Sequence, residues 1–250
     1  MKYTDYKRNY AIPPGREQVL EYFLNQTHEG KRHKQRHKSN SNSEDALTWS
    51  CFEVLASLLI AKQLRVLREV FEDAYNGKEK PVFHDGLGEG DLQIHIGKEY
   101  IGSSTGESTE LDASIELPGK LIFFEAKLYS SMSVATPQKR DQIARKLRVG
   151  VDLPLGDDRE FFFIFLDIAP PDKMKMMRNA GDPEKTAAAF KDKWKSAYWF
   201  EQYKNGDDLT VLRAALDGIT AQPLQPIADN MGWLTWSDLF KSILRGVVSK

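Results

Sequence analysis

The sequence has little cysteine, no long apolar run and almost no net charge. Cys51 is the only cysteine in 250 residues, so neither an intrachain disulfide nor a cysteine zinc site can form within one chain. No apolar run approaches the roughly 20 residues that span a bilayer, and the N-terminus lacks the apolar segment of a signal peptide. These absences lead us to expect a cytoplasmic protein without a membrane partner.

The net charge of −1 argues neither for nor against binding to nucleic acid, but the charges are unevenly distributed. Residues 31–38 read KRHKQRHK and contain no acid. The cations of this run are Lys31, Arg32, Lys34, Arg36 and Lys38. Such a run attracts a phosphate backbone through counterion release. It is equally consistent with a solvated, flexible loop, and the sequence leaves both interpretations open.

Apolar periodicity and turn residues divide the chain into helices and strands. A short helix is predicted within residues 1–27, a loop over 28–43, and one long helix from the N-cap Ser43 to about Tyr75. Strands are predicted within 81–101 and at 109–117, 120–128 and 159–168. Further helices are predicted at 137–148, 183–203, 207–218 and 236–248.

This order of elements predicts an α/β protein with a mixed sheet flanked by helices. The strand–helix–strand unit from 120 to 168 predicts a parallel strand pair. We expect an N-terminal helix and basic loop over 1–42, a core over 43–170 and a C-terminal helical extension packed on the core over 171–250.

The two strands joined at Pro118-Gly119 carry charged residues on one face. With the turn centred there, Asp112 faces Glu125 and Glu110 faces Lys127. Glu125 and Lys127 share a face because strand side chains alternate with period two. Asp112, Glu125 and Lys127 are therefore expected to converge, with Glu110 beside them as an accessory residue. The alternative is an exposed hairpin face with an ordinary carboxylate–lysine network.

Two carboxylates at one place repel each other unless they bind a cation. Oxygen ligands suit Mg²⁺, with Mn²⁺ as a substitute, and the candidate ligands are Asp112, Glu125 and the carbonyl of Ala126. A bound metal lowers the pKa of a water and polarises a phosphate, and Lys127 can orient or deprotonate that water. A charged Glu and Lys at the end of the apolar strand are costly to bury, which favours a catalytic site.

Asp112, twelve intervening residues and Glu125-Ala126-Lys127 resemble the signature of the PD-(D/E)xK nuclease superfamily. The order of elements over 43–168 also resembles the α-β-β-β-α-β core of that superfamily, although Leu111 precedes the aspartate where many members have proline. The resemblance implies a restriction-endonuclease-like fold and a Mg²⁺-dependent DNA endonuclease that acts in restriction, phage defence or repair. The alternative is a catalytically silent nucleic-acid-binding or scaffold protein that keeps the fold.

The resemblance also implies an acid from the first core helix and a polar residue from the helix after the catalytic strand. Helical phase places Glu44 on the buried side of its helix and Glu53 on the opposite side. Glu44 is therefore the candidate additional metal ligand or water-positioning group, or else it complements the helix dipole. Gln142 and Arg145 share one helix face and are candidates for bracing the site or contacting phosphate. The alternative for both is an ordinary solvent face.

The implied partner is nucleic acid, and DNA rather than RNA follows from the resemblance and the basic run. The helix at 137–148 is basic through Lys139, Arg140, Lys146 and Arg148, which suits contacts with a phosphate backbone. Lys139 and Arg140 join the 31–38 run as candidate nucleic-acid contacts. The sequence leaves open whether a homodimer or a partner subunit supplies specificity.

Overall fold

The structure of the chain is a computed structural model that describes residues 2–27, 33–130, 132, 140–153, 159–176, 192–219 and 223–249. Three of the candidate nucleic-acid contacts lie outside the described residues, namely Lys31, Arg32 and Lys139. Within the described residues, no helix is long and apolar enough to cross a membrane.

The described helices and strands are distributed along the whole chain. The helices are α1 (Glu17–Asn25), α2 (His33–His37), α3 (Glu44–Ala56), α4 (Ile60–Ala74), α5 (Gln142–Asp152), α6 (Pro171–Met176), α7 (Trp194–Asn205), α8 (Thr210–Ala215), α9 (Leu224–Asp229) and α10 (Trp236–Val248). The strands are β1 (Gln93–Ile96), β2 (Glu99–Ile101), β3 (Ser108–Glu110), β4 (Ala113–Leu117), β5 (Lys120–Ala126), β6 (Glu160–Asp167) and β7 (Met231–Thr235).

A mixed sheet of five strands forms the centre of the described part of the chain, in the order β1-β4-β5-β6-β7. The strands β1, β4 and β5 pair antiparallel, whereas β5, β6 and β7 pair parallel. A separate sheet pairs β2 with β3. The predicted α/β class with a mixed sheet and flanking helices is confirmed, as is the parallel pairing of β5 with β6.

Helices cover both faces of the sheet because alternate strand residues enter two different apolar clusters. Ile122 and Phe124 of β5 join a cluster that includes residues of α3, α4 and α10. Leu121 and Phe123 join a cluster that includes residues of α5, α7 and α9. The strand β5 is therefore buried on both faces, as its apolar sequence predicts.

The long helix predicted from Ser43 to Tyr75 is in fact two helices. Ser43 caps α3 as predicted, since its side chain accepts a hydrogen bond from the third residue of the helix at 3.2 Å. The break lies between Ala56 and Ile60. The side-chain amide of Gln63 donates to two carbonyls at the break, at 3.1 and 2.7 Å. A break in a helix leaves carbonyls without their usual backbone donors, and the amide of Gln63 supplies donors to two of them, which stabilises the break.

Two further helical segments before β6 differ from the prediction. The loop predicted over 28–43 contains the short helix α2. The helix predicted at 137–148 is described as α5, which begins at Gln142. Asp141 is its N-cap and accepts a hydrogen bond from the amide of Ala144 at 2.9 Å. Aspartate at this position satisfies an amide that the first helical turn leaves without a partner.

The prediction of a wholly helical C-terminal extension was wrong, because this segment also supplies β7. The strand lies beside β6 in the main sheet, and Leu239 and Ile243 of α10 enter the apolar cluster with α3 and α4. The segment MGWLT is short, buried along its whole length and follows α9 directly, so it lacks the alternation that identifies a half-buried strand.

Candidate functional site

The hairpin of β4 and β5 has the predicted register and brings Asp112 to Glu125. Ala113 pairs with Phe124, and Asp112 lies one residue before that pair. The Oδ2 atom of Asp112 accepts a hydrogen bond from the amide of Ala126 at 2.7 Å. The half-buried aspartate is thus fixed against the end of β5, beside the buried Glu125.

Lys127 is a buried cation that lies among three acceptors. Its Nζ atom is 2.8 Å from Oε1 of Glu125 and 3.2 Å from Oε1 of Glu44. It also donates to the carbonyl of Ala126 at 2.7 Å. Glu125 is 1% exposed and Lys127 is 4% exposed, so the protein rather than solvent balances these charges.

Glu44 reaches the site from the first turn of α3, as helical phase predicts. Its Oε2 atom accepts hydrogen bonds from the amide of Leu128 at 2.6 Å and from the hydroxyl of Ser130 at 2.7 Å. Its other oxygen faces Lys127. In this arrangement Glu44 fixes the lysine and the chain that follows β5, and its role as a metal ligand stays a prediction.

Glu53 was predicted to point away from the core, and this prediction was wrong. Glu53 is 3% exposed, and its carboxylate pairs with Arg16 at the start of α1. The N-terminal segment covers this side of α3, where Tyr10 and Trp49 meet edge to face with ring centroids 5.7 Å apart. A helix covered on two sides has no single solvent face, so its phase alone does not locate the exposed residues.

Glu110 does not face Lys127 as predicted. The strand β3 leaves the main sheet and pairs with β2, which places Glu110 opposite Glu99. The carboxylate of Glu110 pairs instead with Lys34 of α2, at 2.5 Å. The chain changes sheets between Glu110 and Ala113, so the hairpin register does not extend as far as Glu110.

Lys146 is a residue of the site that sequence reasoning did not identify. Its Nζ atom lies 3.3 Å from Oε2 of Glu125 and also donates to the carbonyl of Glu110.

The expectation that Lys146 and Arg148 form a basic surface for nucleic acid was wrong, because both are buried. Arg148 binds Glu107 at 2.8 Å and two carbonyls of the C-terminal segment at 2.7 Å. The spacing of Lys146 from the candidate Gln142, four residues earlier, was the available signal.

The described candidates for nucleic-acid contact differ in their surroundings. Lys34 is 3% exposed, with its Nζ atom 2.7 Å from a side-chain oxygen of Gln26, so the prediction that it contacts nucleic acid was wrong. Arg36 is exposed. Lys38 lies with its Nζ atom 4.3 Å from the centre of a tyrosine ring, and Arg140 is paired with a glutamate at 3.1 Å. Arg36, Lys38 and Arg140 therefore stay predictions as contacts.

The charges of the site shift its pKa values in opposite directions. Burial, together with the negative charge of Glu125, raises the pKa of Asp112 well above its usual range. Burial opposes ionisation of Glu125 too, but Lys127 and Lys146 outweigh it and hold the pKa of Glu125 below its usual range. Burial disfavours the charged form of Lys127, but its three carboxylate neighbours raise its pKa. Without a bound cation, Asp112 is therefore mostly protonated at neutral pH, whereas Glu125 is ionised and neutralised by the two lysines.

These side chains lie on a polar cavity of about 640 Å³. Its lining comprises His37, Asn40, Asn42, Ser43, Glu44, Asp45, Glu99, Ser108, Thr109, Glu110, Asp112, Glu125, Lys127, Ser130, Gln142, Arg145 and Lys146. The cavity thus brings together the predicted residues of the hairpin, of α3 and of α5. Among the residues that the structure describes, the buried Nε atom of Arg145 has no hydrogen-bond partner. A second cavity, of about 670 Å³, shares Glu99 and Glu110 with the first.

A second buried ion pair, which sequence reasoning did not identify, lies near Lys127 and Ser130 of the candidate site. Lys193 lies with its Nζ atom 2.5 Å from Oδ1 of Asp167 at the end of β6, and both side chains are fully buried. Burial raises the pKa of Asp167 to about 6, although the charge of Lys193 opposes this shift. The backbone amide of Lys127 donates to the carbonyl of Leu166 at 2.7 Å. The backbone carbonyl of Lys127 accepts from the indole N–H of Trp236 at 3.0 Å.

Comparison with family models, with curated proteins and with solved structures finds no match to this chain. Within the described residues, no group of three or more His, Cys, Asp or Glu side chains is arranged to hold a metal ion. Besides Glu44, whose oxygens face Lys127 and the segment after β5, the site contains the carboxylates of Asp112 and Glu125 and the carbonyl of Ala126. Mg²⁺ commonly binds through one or two carboxylates and completes its shell with waters and substrate oxygens, so the donors present fit that ion.

Proposed function

We propose that this chain is a metal-dependent nuclease that hydrolyses phosphodiester bonds, with DNA as its substrate. The observation that supports this proposal is the convergence of Asp112, Glu125 and Lys127 on one polar cavity. Burial and the charge of Glu125 raise the pKa of Asp112, so a divalent cation beside the two carboxylates would stabilise the pair. A recessed acidic pair next to a buried lysine is suited to cleaving a phosphodiester with a bound metal.

The order of the elements supports the same proposal. The elements α3, β1, β4, β5, α5 and β6 occur in the order of the restriction-endonuclease-like core. The helix α4 lies between α3 and β1, and the sheet of β2 and β3 is inserted between β1 and β4. The candidate residues lie at the start of α3, at the end of β5 and on α5. We infer that the chain has this fold, with β7 and α10 added beyond β6.

Asp112, Glu125 and the carbonyl of Ala126 would hold Mg²⁺, or Mn²⁺ in its place. The bound ion supplies a polarised phosphate and a water of lowered pKa. Lys127 is held by Glu125, Glu44 and the carbonyl of Ala126, which take up its three N–H donors. If that carbonyl binds the ion, the N–H that it releases would be available to the attacking water or to a phosphate oxygen. Because the surrounding carboxylates raise its pKa, Lys127 stays protonated and acts as a fixed positive charge rather than as a base.

Arg145 completes the proposed site as the group that binds substrate phosphate. It lines the same cavity, and its buried Nε atom has no hydrogen-bond partner in the described part of the chain. A guanidinium with an unused donor beside a catalytic cavity is suited to a phosphate oxygen, because charge-assisted hydrogen bonds of this kind are strong. We place the activity in the cytoplasm, in restriction, phage defence or repair, with a homodimer or a partner subunit supplying specificity.

The test is cleavage of plasmid, single-stranded DNA, branched DNA and RNA in Mg²⁺, in Mn²⁺ and in EDTA. We expect metal-dependent cleavage of DNA that falls at least about 100-fold in Lys127→Ala and in Asp112→Ala. Lys241→Ala and Asp91→Ala are matched controls, because both residues are exposed and lie outside the cavity. Metal-independent cleavage, or equal loss in the controls, contradicts the proposal. Nucleic-acid binding without cleavage of any substrate favours the catalytically silent alternative.

A further inference from the structure

Glu125 is shared by two buried lysines that reach it from different elements. Lys127 of the strand end lies 2.8 Å from Oε1, and Lys146 of α5 lies 3.3 Å from Oε2. Each oxygen of Glu125 therefore has its own ammonium group. The Asp-Glu-Lys signature accounts for only one of these lysines, and Lys146 has no role in it.

The position of Lys146 is fixed at both ends of its side chain. Its helix starts at the cap residue Asp141, whose other carboxylate oxygen accepts a hydrogen bond from the hydroxyl of Tyr203 at 2.6 Å. The ammonium end donates to the carbonyl of Glu110. Lys146 is also almost fully buried. Its ammonium is therefore a built part of the site rather than the mobile end of a surface side chain.

The oxygen atoms around the site leave little room for more than one divalent ion. Both oxygens of Glu44 already face donors from Leu128, Ser130 and Lys127. One oxygen of Asp112 accepts from the amide of Ala126. One ion bound at Glu125 would already share this carboxylate with Lys127 and Lys146, so a second ion there would be repelled by both ammonium groups and by the first ion.

We propose that Lys146 takes the place of a second divalent cation, so that the site binds one metal ion per chain. Phosphodiesterases with two ions use them about 3.5–4 Å apart, so that one acts on each side of the phosphate. Lys146 instead provides a fixed single charge at the oxygen of Glu125 opposite Lys127. This inference rests on the proposed function, because it requires that the site bind a metal at all.

The test counts Mn²⁺ ions per chain by isothermal titration and by electron paramagnetic resonance of free Mn²⁺. The variants are Lys146→Met, which removes the charge, Lys146→Gln, which keeps a donor for the carbonyl of Glu110, and Lys146→Arg, which keeps the charge. We expect one Mn²⁺ per chain in the wild type and in Lys146→Arg. We expect two in Lys146→Met and Lys146→Gln, and circular dichroism identifies which variants are folded.

The outcomes separate this inference from the proposed function. Two Mn²⁺ ions per wild-type chain overturn the inference but support a metal site. A single Mn²⁺ per chain in folded Lys146→Met and Lys146→Gln also overturns it and leaves the proposed function intact. Absence of Mn²⁺ binding in the wild type overturns the proposed function and the inference together. A Hill coefficient near 1 for metal-dependent cleavage, rising toward 2 in Lys146→Gln, would agree with the inference.

Discussion

Replacing Asp112 with asparagine is expected to stabilise the metal-free protein while abolishing cleavage. The pKa of Asp112 is raised by burial and by Glu125, so its negative charge is a cost to the fold in the absence of a cation. Asparagine keeps an oxygen that can accept the hydrogen bond from the amide of Ala126. It also replaces an anionic oxygen with an amide that can donate to Glu125.

The magnitude follows from the position of the Asp112 pKa. Ionisation of a group whose pKa rises from 3.8 to about 8 costs the fold at most about 6 kcal/mol, at about 1.4 kcal/mol for each pH unit. Asparagine shares part of the desolvation cost, so the expected gain at pH 8 is about 2–3 kcal/mol. For a chain of this length that gain corresponds to an increase of about 4–12 °C in Tm.

The gain is expected to depend on pH in a defined direction. The folded state favours protonated Asp112, so the stability that this proton provides is lost as the pH rises from about 4 through about 8. Below about pH 4 the carboxyl is protonated in the folded and unfolded states alike, and wild type and Asp112→Asn should then differ least. The advantage of asparagine should grow steadily toward pH 8.

Urea unfolding in EDTA at several pH values measures this difference. Glu125→Gln is the matched control and should have the opposite effect, because Glu125 neutralises two buried lysines. Its removal leaves both without their shared anion, at a cost of about 3–5 kcal/mol. Added Mn²⁺ should stabilise the wild type but not Asp112→Asn. The reasoning is refuted if Asp112→Asn is no more stable than wild type at pH 8 in EDTA, or if its gain does not vary with pH.

Two further changes probe the phosphate contact and the support behind the site. Arg145→Ala should weaken nucleic-acid binding about tenfold for all sequences and lower the slope of log affinity against log salt by about 1, as fluorescence anisotropy can measure. Unchanged binding would exclude Arg145 from the interface. Lys193→Met should lower the free energy of unfolding by about 3–5 kcal/mol because it leaves Asp167 buried and unpaired. The double variant with Asp167→Leu should recover most of that loss in urea unfolding, and a double variant as unstable as the single one would contradict the argument.

The hairpin and the convergence of its candidate residues could be predicted because the information is local. Pro118-Gly119 fixes the turn, and the period of two then determines which residues share a face. The capping of α3 by Ser43 is local as well, and it sets the phase that brings Glu44 to Lys127. Where the chain leaves the regular hairpin, before Asp112, the same reasoning misplaced Glu110.

Contacts between distant segments were not predictable from pattern alone. Arg16 and Glu53 pair across 37 positions of sequence, and Lys193 reaches Asp167 from the segment before α7. All of these side chains are charged, and a sequence-based prediction places charged residues at the surface in contact with solvent. Only the tertiary fold places a partner of opposite charge beside them.

Two of the errors about charged residues, those about Lys34 and Lys146, concern side chains beside the candidate site, and there is a physical reason for this. Lys34 and Lys146 were both assigned to a nucleic-acid surface, yet both are buried, one against the carboxylate of Glu110 and the other against Glu125. Carboxylates that lie close together are stabilised by nearby cations, and here the fold supplies Lys34 from α2 and Lys146 from α5. Rules of burial derived from ordinary cores therefore fail at a site of this kind. A lysine that such rules place in solvent, but that the fold buries beside an acid, is a residue to test for function.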